Sequence, residues 1–205
     1  IPLIIDNAYG MPFPNIIYSD VRLNWHENII LCFSLSKVGL PGVRTGIIVA
    51  APEVVKAVSS LNAIVNLSPT RFGAAIATPL LQDGRLKQLS DDVIRPFYRN
   101  QAQTAVSLLK RELGAYPLKI HKPEGAIFLW LWFENLPVSS QTLYEMLKAE
   151  DTLIIPGEHF FVGIDTQDYP HARECIRMSI AQDAQTLEKG IAAIGRVVRG
   201  LYDAA

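Results

Sequence analysis

The densest run of chemically capable side chains is Ser34-Leu35-Ser36-Lys37-Val38-Gly39-Leu40-Pro41-Gly42-Val43-Arg44-Thr45-Gly46. A lysine amine is the nucleophile that forms Schiff bases with carbonyl compounds. A guanidinium offers phosphate or carboxylate a planar, bidentate fork, and serine hydroxyls add further donors. Earlier in the chain, Asp6 and Tyr9 follow the apolar run Ile1 to Ile5. A carboxylate set against a heterocyclic nitrogen would keep that nitrogen protonated and electron-withdrawing. Taken singly these residues are ordinary. Asp6 alone reads as a turn cap, Tyr9 as a half-buried aromatic, and Arg44 as a solvated loop charge. Their chemistry depends on whether the fold brings them together.

Three short apolar segments decide that question. Ile1 to Ile5 and Asn28 to Phe33 are rich in branched aliphatics and read as buried strands, and Gly46 to Ala50 reads as a third. Ile1 to Ile5 is apolar on both strand faces, so it is expected to be a central strand, flanked on both sides and covered above and below. A parallel crossover takes about a dozen residues or more, usually with a helix. The link from Ser34 to Gly46 has that length but carries Gly39, Pro41 and Gly42, so no helix fits and the third strand should run antiparallel to the second. The link from Asn7 to Glu27 is longer and can cross over, which makes the first two strands parallel. Asp6 then ends its strand at the same edge as Ser34, Ser36 and Lys37, with Arg44 just before the third strand. Ligands of open α/β sheets bind at that edge.

Phosphate, aldehyde and pyridine in one molecule describe pyridoxal 5'-phosphate (PLP), whose usual partners are a Schiff-base lysine and an aspartate at the ring nitrogen. Asp6-x-Ala8-Tyr9, followed by Ser34-x-Ser36-Lys37-(x3)-Pro41-Gly42-x-Arg44-x-Gly46, resembles the class I/II aminotransferases of PLP fold type I. The resemblance implies that Asp6 pairs with the pyridine nitrogen and that Tyr9 hydrogen-bonds the ring's phenolic oxygen. It makes Lys37 the catalytic, cofactor-bearing lysine and gives the phosphate to Ser34, Ser36 and Arg44. Pro123-Glu124-Gly125-Ala126-Ile127-Phe128-Leu129-Trp130 and Pro156-Gly157-x-x-Phe160-Phe161 also look like the family. Arg177, in Cys175-Ile176-Arg177-Met178-Ser179-Ile180, would grip the substrate's α-carboxylate. Strand alternation puts Arg177 and Ser179 on one face and Ile176, Met178 and Ile180 on the other. Ser68-Pro69-Thr70-Arg71 matches a region that in the family reaches a neighbouring subunit's site.

The implied protein is an α/β enzyme of fold type I, with residues 1–100 in the large mixed-sheet, PLP-binding domain and 101–205 in a smaller C-terminal α+β domain. It would work as a cytoplasmic homodimer on a small amino acid and a keto acid, with the closer likeness pointing to an aliphatic amino acid. Alanine and aromatic aminotransferases, β-lyases and PLP-sensing regulator domains share the fold and remain alternatives. Family chains run roughly twice as long, and their first half supplies a phosphate loop, a ring-stacking aromatic and an Asn. None of these has a counterpart in the sequence, which opens on Ile1 rather than Met. The 205 residues are therefore expected to be the second half of a longer protein and not to work alone.

Other elements follow from periodicity. Pro52 suits a first helical position, and Val54, Val55, Val58, Leu61 and Val65 recur at helical spacing. Further helices are expected over Arg71 to Gln82, Leu89 to Leu113 with a kink at Pro96, Ser140 to Ala149, and Ala184 to Tyr202. Strands are expected over Leu118 to His121, Ala126 to Phe133, Leu153 to Ile155, and Cys175 to Ala181. Trp130 and Trp132 alternate on their strand and read as core. A net charge of −1 leaves no basic field for nucleic acid or anionic lipid. The longest apolar run, Ala126 to Phe133, is far short of a membrane span, and no cationic leader precedes an apolar segment. Cys32 and Cys175 form no C-x-x-C pair, which suits a reducing compartment. His26, His121, His159 and His171 show no metal-ligand spacing, so no metal is expected.

Overall fold

A computed structural model describes residues 1–68 and 70–205, so Pro69 of the Ser68 to Arg71 stretch lies outside the described residues. The chain divides into two compact units: Ile1–Phe97 with Glu124–Ala126, and Tyr98–Pro123 with Ile127–Ala205.

The first unit carries the sheet β1 (Leu3–Asp6), β2 (Ile29–Ser34) and β3 (Gly46–Val49), in the order β1-β2-β3. β1 is parallel to β2, with Asp6 opposite Cys32. β3 is antiparallel to β2, with Ser34 opposite Gly46. The tight connection thus produces the antiparallel return its length and composition predict. It is not free of helical turns, however: Ser36–Val38 and Pro41–Val43 each form one turn of 3-10 helix, short enough for Gly39 and Pro41 to bound.

The three strands of this chain do not enclose the first one, as its two apolar faces and the small number of strands imply. β2 must pair with both neighbours, so it takes the centre and β1 falls at an edge, where Leu3 is 55% and Ile4 66% exposed. Phe13, Leu31, Phe33, Leu35, Val38, Ala77 and Leu86 form this unit's core. Helix α1 (Pro52–Val65) begins with Pro52 in its first turn and buries no residue, and α2 (Phe72–Gln82) follows.

The long helix departs from expectation at its start. It begins earlier, as α3 (Arg85–Leu89), passes through a π turn at Ser90–Ile94, and continues as α4 (Arg95–Leu113). In the π turn the Arg95 N–H donates to the Ser90 carbonyl, five residues back. Pro96 has no N–H to give to Asp92 and its ring would crowd that carbonyl in an α-helix, so the ladder widens just before it.

In the second unit, β4 (Leu118–Ile120), β5 (Phe128–Phe133), β6 (Ile155–Pro156) and β7 (Cys175–Ser179) form an antiparallel sheet in the order β4-β5-β7-β6. Leu129, Leu131 and Phe133 of β5 and Ile176 and Met178 of β7 pack with residues of α4, α5 (Ser140–Lys148) and α7 (Ala184–Asp203) in one core. Ser139 caps α5 by accepting from the Thr142 N–H, and Asp183 caps α7 by accepting from the Thr186 N–H. The expected strand at Leu153 to Ile155 lies two residues further on. Ile154 turns into the core and Leu153 is exposed, so pairing with β7 begins only at Ile155. A short helix, α6 (Pro170–Glu174), leads into β7.

Candidate functional site

Asp6 is the last residue of β1, and its Oδ1 accepts from the Ala8 N–H at 3.2 Å, so the carboxylate does cap a turn. Its residue is exposed, and its second oxygen has no protein partner among the described residues. Ser34 ends β2, and its Oγ accepts from the Ser36 N–H at 3.2 Å, fixing the start of the turn that presents Lys37. The half-buried Lys37 ammonium stands 5.7 Å from the centroid of the Tyr9 ring. That contact joins the loop after β1 to the loop after β2. Arg44 adopts a left-handed backbone (φ 45) between the second 3-10 turn and β3, and its Nη1 donates to the Pro41 carbonyl at 3.5 Å. The Leu35 N–H to Thr45 carbonyl bond, 3.1 Å, closes the Ser34–Gly46 connection upon itself.

Asp6, Tyr9, Ser34, Ser36, Lys37 and Arg44 therefore cluster on the loops at one end of a single sheet. A carboxylate, an amine, hydroxyls and a guanidinium on short loops from rigid strands can hold a ligand that is at once acidic, carbonyl-bearing and basic. This donor set fits a phosphorylated pyridine aldehyde. The amine suits the aldehyde, the carboxylate a protonated ring nitrogen, and the guanidinium with the hydroxyls a phosphate.

The loop that carries Tyr9 is held by residues the sequence did not single out. Asn7 is buried and its Nδ2 donates to the Met11 carbonyl at 2.6 Å. A Cβ on Gly10 would stand 2.0 Å from the Asn7 Oδ1, so a larger residue there would displace the Asn7 amide from its place. The Met11–Pro12 and Phe13–Pro14 peptide bonds are cis. The Ile16 N–H donates to the Tyr9 carbonyl at 2.9 Å, and the Asn15 N–H to the Gly10 carbonyl at 3.0 Å. Asn15 is clasped by Asp91 of the π turn and by Arg95, the first residue of α4. Its Nδ2 donates to the Asp91 Oδ1 at 2.7 Å and its Oδ1 accepts from the Arg95 Nη1 at 2.8 Å. Arg95 also reaches the carbonyls of Asn15 (3.0 Å), Ile17 (2.6 Å) and Tyr18 (3.5 Å). Glu124, Gly125 and Ala126 strap the loop's far end. Gly125 bridges Ile17, and a Cβ on it would meet the Ile16 carbonyl at 2.8 Å. Of this scaffold, Gly125, inside the Pro123 to Trp130 stretch, and Pro96 stand out in the sequence.

Arg177 belongs to the second unit. It lies opposite Trp130 on β5 and shares its face of the sheet with Ser179 and with Phe128. Its guanidinium sits between two rings, 4.1 Å from the centroid of Phe128 and 4.8 Å from that of Phe160. Among the described residues, Arg177 Nε is the buried side-chain nitrogen left without a hydrogen-bond partner. A guanidinium held against two aromatic rings keeps N–H groups that an anion could accept from.

Trp130 and Trp132 are not in the helix-covered core. Their strand alternates, so Leu129, Leu131 and Phe133 take that side and the tryptophans the other, half buried. There Trp130 meets Phe160 edge-on at 5.3 Å, and Trp132 meets His171 at 4.7 Å while donating from Nε1 to Glu174 at 2.8 Å. Burial beneath this aromatic layer pushes the Cys175 thiol up to about 11, with a hydrogen bond from Trp130 opposing the shift.

Comparison with known proteins follows the same lines. The model of the family "aminotransferase class I and II" matches residues 1–194. Valine–pyruvate aminotransferase of Escherichia coli (strain K12) is 46% identical over 191 residues, 93% of this chain and 46% of that protein. Among solved structures, a putative amino-acid aminotransferase from Psychrobacter arcticum 273-4 is 70% identical, with a TM-score of 0.95 over 100% of this chain and 47% of that one. Valine–pyruvate aminotransferase from Salmonella typhimurium LT2 is 43% identical, with a TM-score of 0.91 over 100% of this chain and 53% of that one. The chain spans about half the length of the curated relatives it matches.

Proposed function

This chain belongs to the aminotransferase class I and II family, and on that premise we propose that it serves a PLP-dependent transaminase that exchanges the amino group of valine with pyruvate. The observation that carries the reading is Lys37 beside Tyr9, with Asp6, Ser34, Ser36 and Arg44 on the loops of the same sheet end. Identity of 46% to an enzyme named for valine and pyruvate supports that substrate pair over the alanine, aromatic and β-lyase alternatives.

PLP, when bound, supplies an electron sink that makes the substrate's Cα proton removable. Asp6 accepts a hydrogen bond from the ring N–H and keeps that proton in place. The Tyr9 hydroxyl donates to the phenolic oxygen. Ser34, Ser36 and Arg44 hold the phosphate, and the guanidinium fork sets its orientation. Lys37 would hold the cofactor through its amine and, when that amine is free, would move a proton at the substrate Cα. Arg177 grips the α-carboxylate, its plane fixed by Phe128 and Phe160, and its unpaired Nε supports that role.

Residues 1–100 would then be the C-terminal part of the PLP-binding domain and 101–205 the small domain. A homodimer is part of the proposal, on the family likeness alone. So is a cytoplasmic location, which the two free cysteines support. No described helix is long and apolar enough to cross a membrane. The test is product analysis. The whole protein, loaded with PLP and given valine and pyruvate, should release alanine and the keto acid of valine in equal amounts. Turnover of aromatic amino acids with none of valine would overturn the substrate assignment.

A further inference from the structure

Resting on the reading of Tyr9 and Lys37 as cofactor residues, we infer that Asn15, Asp91 and Arg95 form a positioning clamp that sets the Tyr9 hydroxyl for the cofactor's phenolic oxygen. The loop from Asn7 to Tyr18 closes on itself at two bonds, Ile16 N–H to the Tyr9 carbonyl and Asn15 N–H to the Gly10 carbonyl, at 2.9 and 3.0 Å. Tyr9 and Gly10 are thus held from residues 15 and 16. Asn15 sits at φ 55, a left-handed backbone that Asn adopts more readily than other non-glycine residues.

The fixing comes from one place. Asp91 takes the Asn15 amide N–H, and Arg95 gives to both the side-chain and main-chain oxygens of Asn15 and to the Ile17 carbonyl. Lys87 pairs with the other oxygen of Asp91, which keeps that carboxylate charged. Both clamp residues come from the π turn and its exit, and single π turns recur where function needs a side chain out of α-helical register. The alternative is that the clamp merely ties a helix to a loop. It predicts loss of stability without a change at Tyr9.

The readout that separates these is the pH midpoint of the bound cofactor's visible absorbance, followed in the whole, PLP-loaded protein. A hydrogen bond donated to the ring's anionic oxygen stabilises the deprotonated cofactor, so its loss raises the midpoint. Tyr9→Phe sets the reference shift, on the order of one pH unit upward for one bond to a charged oxygen. Asn15→Gly keeps the left-handed backbone and removes only the side chain, while Arg95→Met removes the fork. Each is expected to raise the midpoint by most of the Tyr9→Phe shift, and Tyr9→Phe with Asn15→Gly together should go no higher than Tyr9→Phe alone. Should one variant fail to fold, the other carries the same test. Lower melting temperatures with wild-type midpoints would overturn the clamp and leave the cofactor assignment standing. A wild-type protein that shows no cofactor absorbance and no borohydride adduct at Lys37 would overturn both.

Discussion

Arg177 is the residue proposed to grip the substrate's α-carboxylate. Two aromatic faces hold its guanidinium, and its Nε is buried without a partner. Arg177→Ala should weaken binding of every α-carboxylate substrate by about tenfold or more, because a charge-assisted contact is worth about 1.5–3 kcal/mol. The affinity for PLP should hold. Dissociation constants for valine and for PLP, measured on the whole protein, check this, and an equal loss of both would put Arg177 at the phosphate instead. At this scale the candidate site was legible where its members lie next to strand ends. Asp6, Tyr9, Ser34, Ser36, Lys37 and Arg44 sit within a few residues of β1, β2 or β3, so their convergence follows from three short strands. Asn15, Asp91 and Arg95 were not legible, since the pairs are 76 and 80 residues apart and no periodicity links a loop to a helix face.

Among the elements, the π turn at Ser90–Ile94 carries a titration of its own. The Asp91 carboxyl lies below the usual carboxylate range because of the Lys87 hydrogen bond, reinforced by Asn15 and opposed by burial. A depressed folded value means the contact stabilises fully above the unfolded value of about 3.9 and is lost as pH falls through the folded one. Stability of the whole protein in denaturant should therefore fall as pH drops below about 4, and Asp91→Asn should flatten part of that decline. An unchanged acid slope in the variant would contradict it. In the second unit, Leu131 is fully buried on β5 between the strands that flank it. Leu131→Ala should cost about 2–5 kcal/mol, read from the denaturation midpoint, and a loss near zero would mean the β5 core is misassigned.

Elements were legible where hydrophobic period and punctuation agree, as for α1 with Pro52 at its start, α7 and β7. They were less so where a backbone constraint is local. The π turn answers to the N–H that Pro96 lacks, and the edge placement of β1 to the number of strands available for pairing. The mistaken core reading of Trp130 and Trp132 has a simple cause. Alternation separates two faces but does not say which one the long helices cover, and here α4, α5 and α7 cover Leu129, Leu131 and Phe133.

At the scale of the molecule, one unit carries the lysine, carboxylate and phosphate-binding candidates and the other Arg177, the candidate for the substrate's carboxylate. The chain spans about half the length of its curated relatives, so activity belongs to the whole protein and is tested there. The central claim is that Lys37 bears the cofactor. The most direct test loads the whole protein with PLP, reduces it with borohydride, digests it and maps the modified peptide. The account predicts a single phosphopyridoxyl adduct, on Lys37, and its disappearance in Lys37→Ala together with the visible absorbance. An adduct at any other lysine in the wild type, or one that persists in Lys37→Ala, would contradict it.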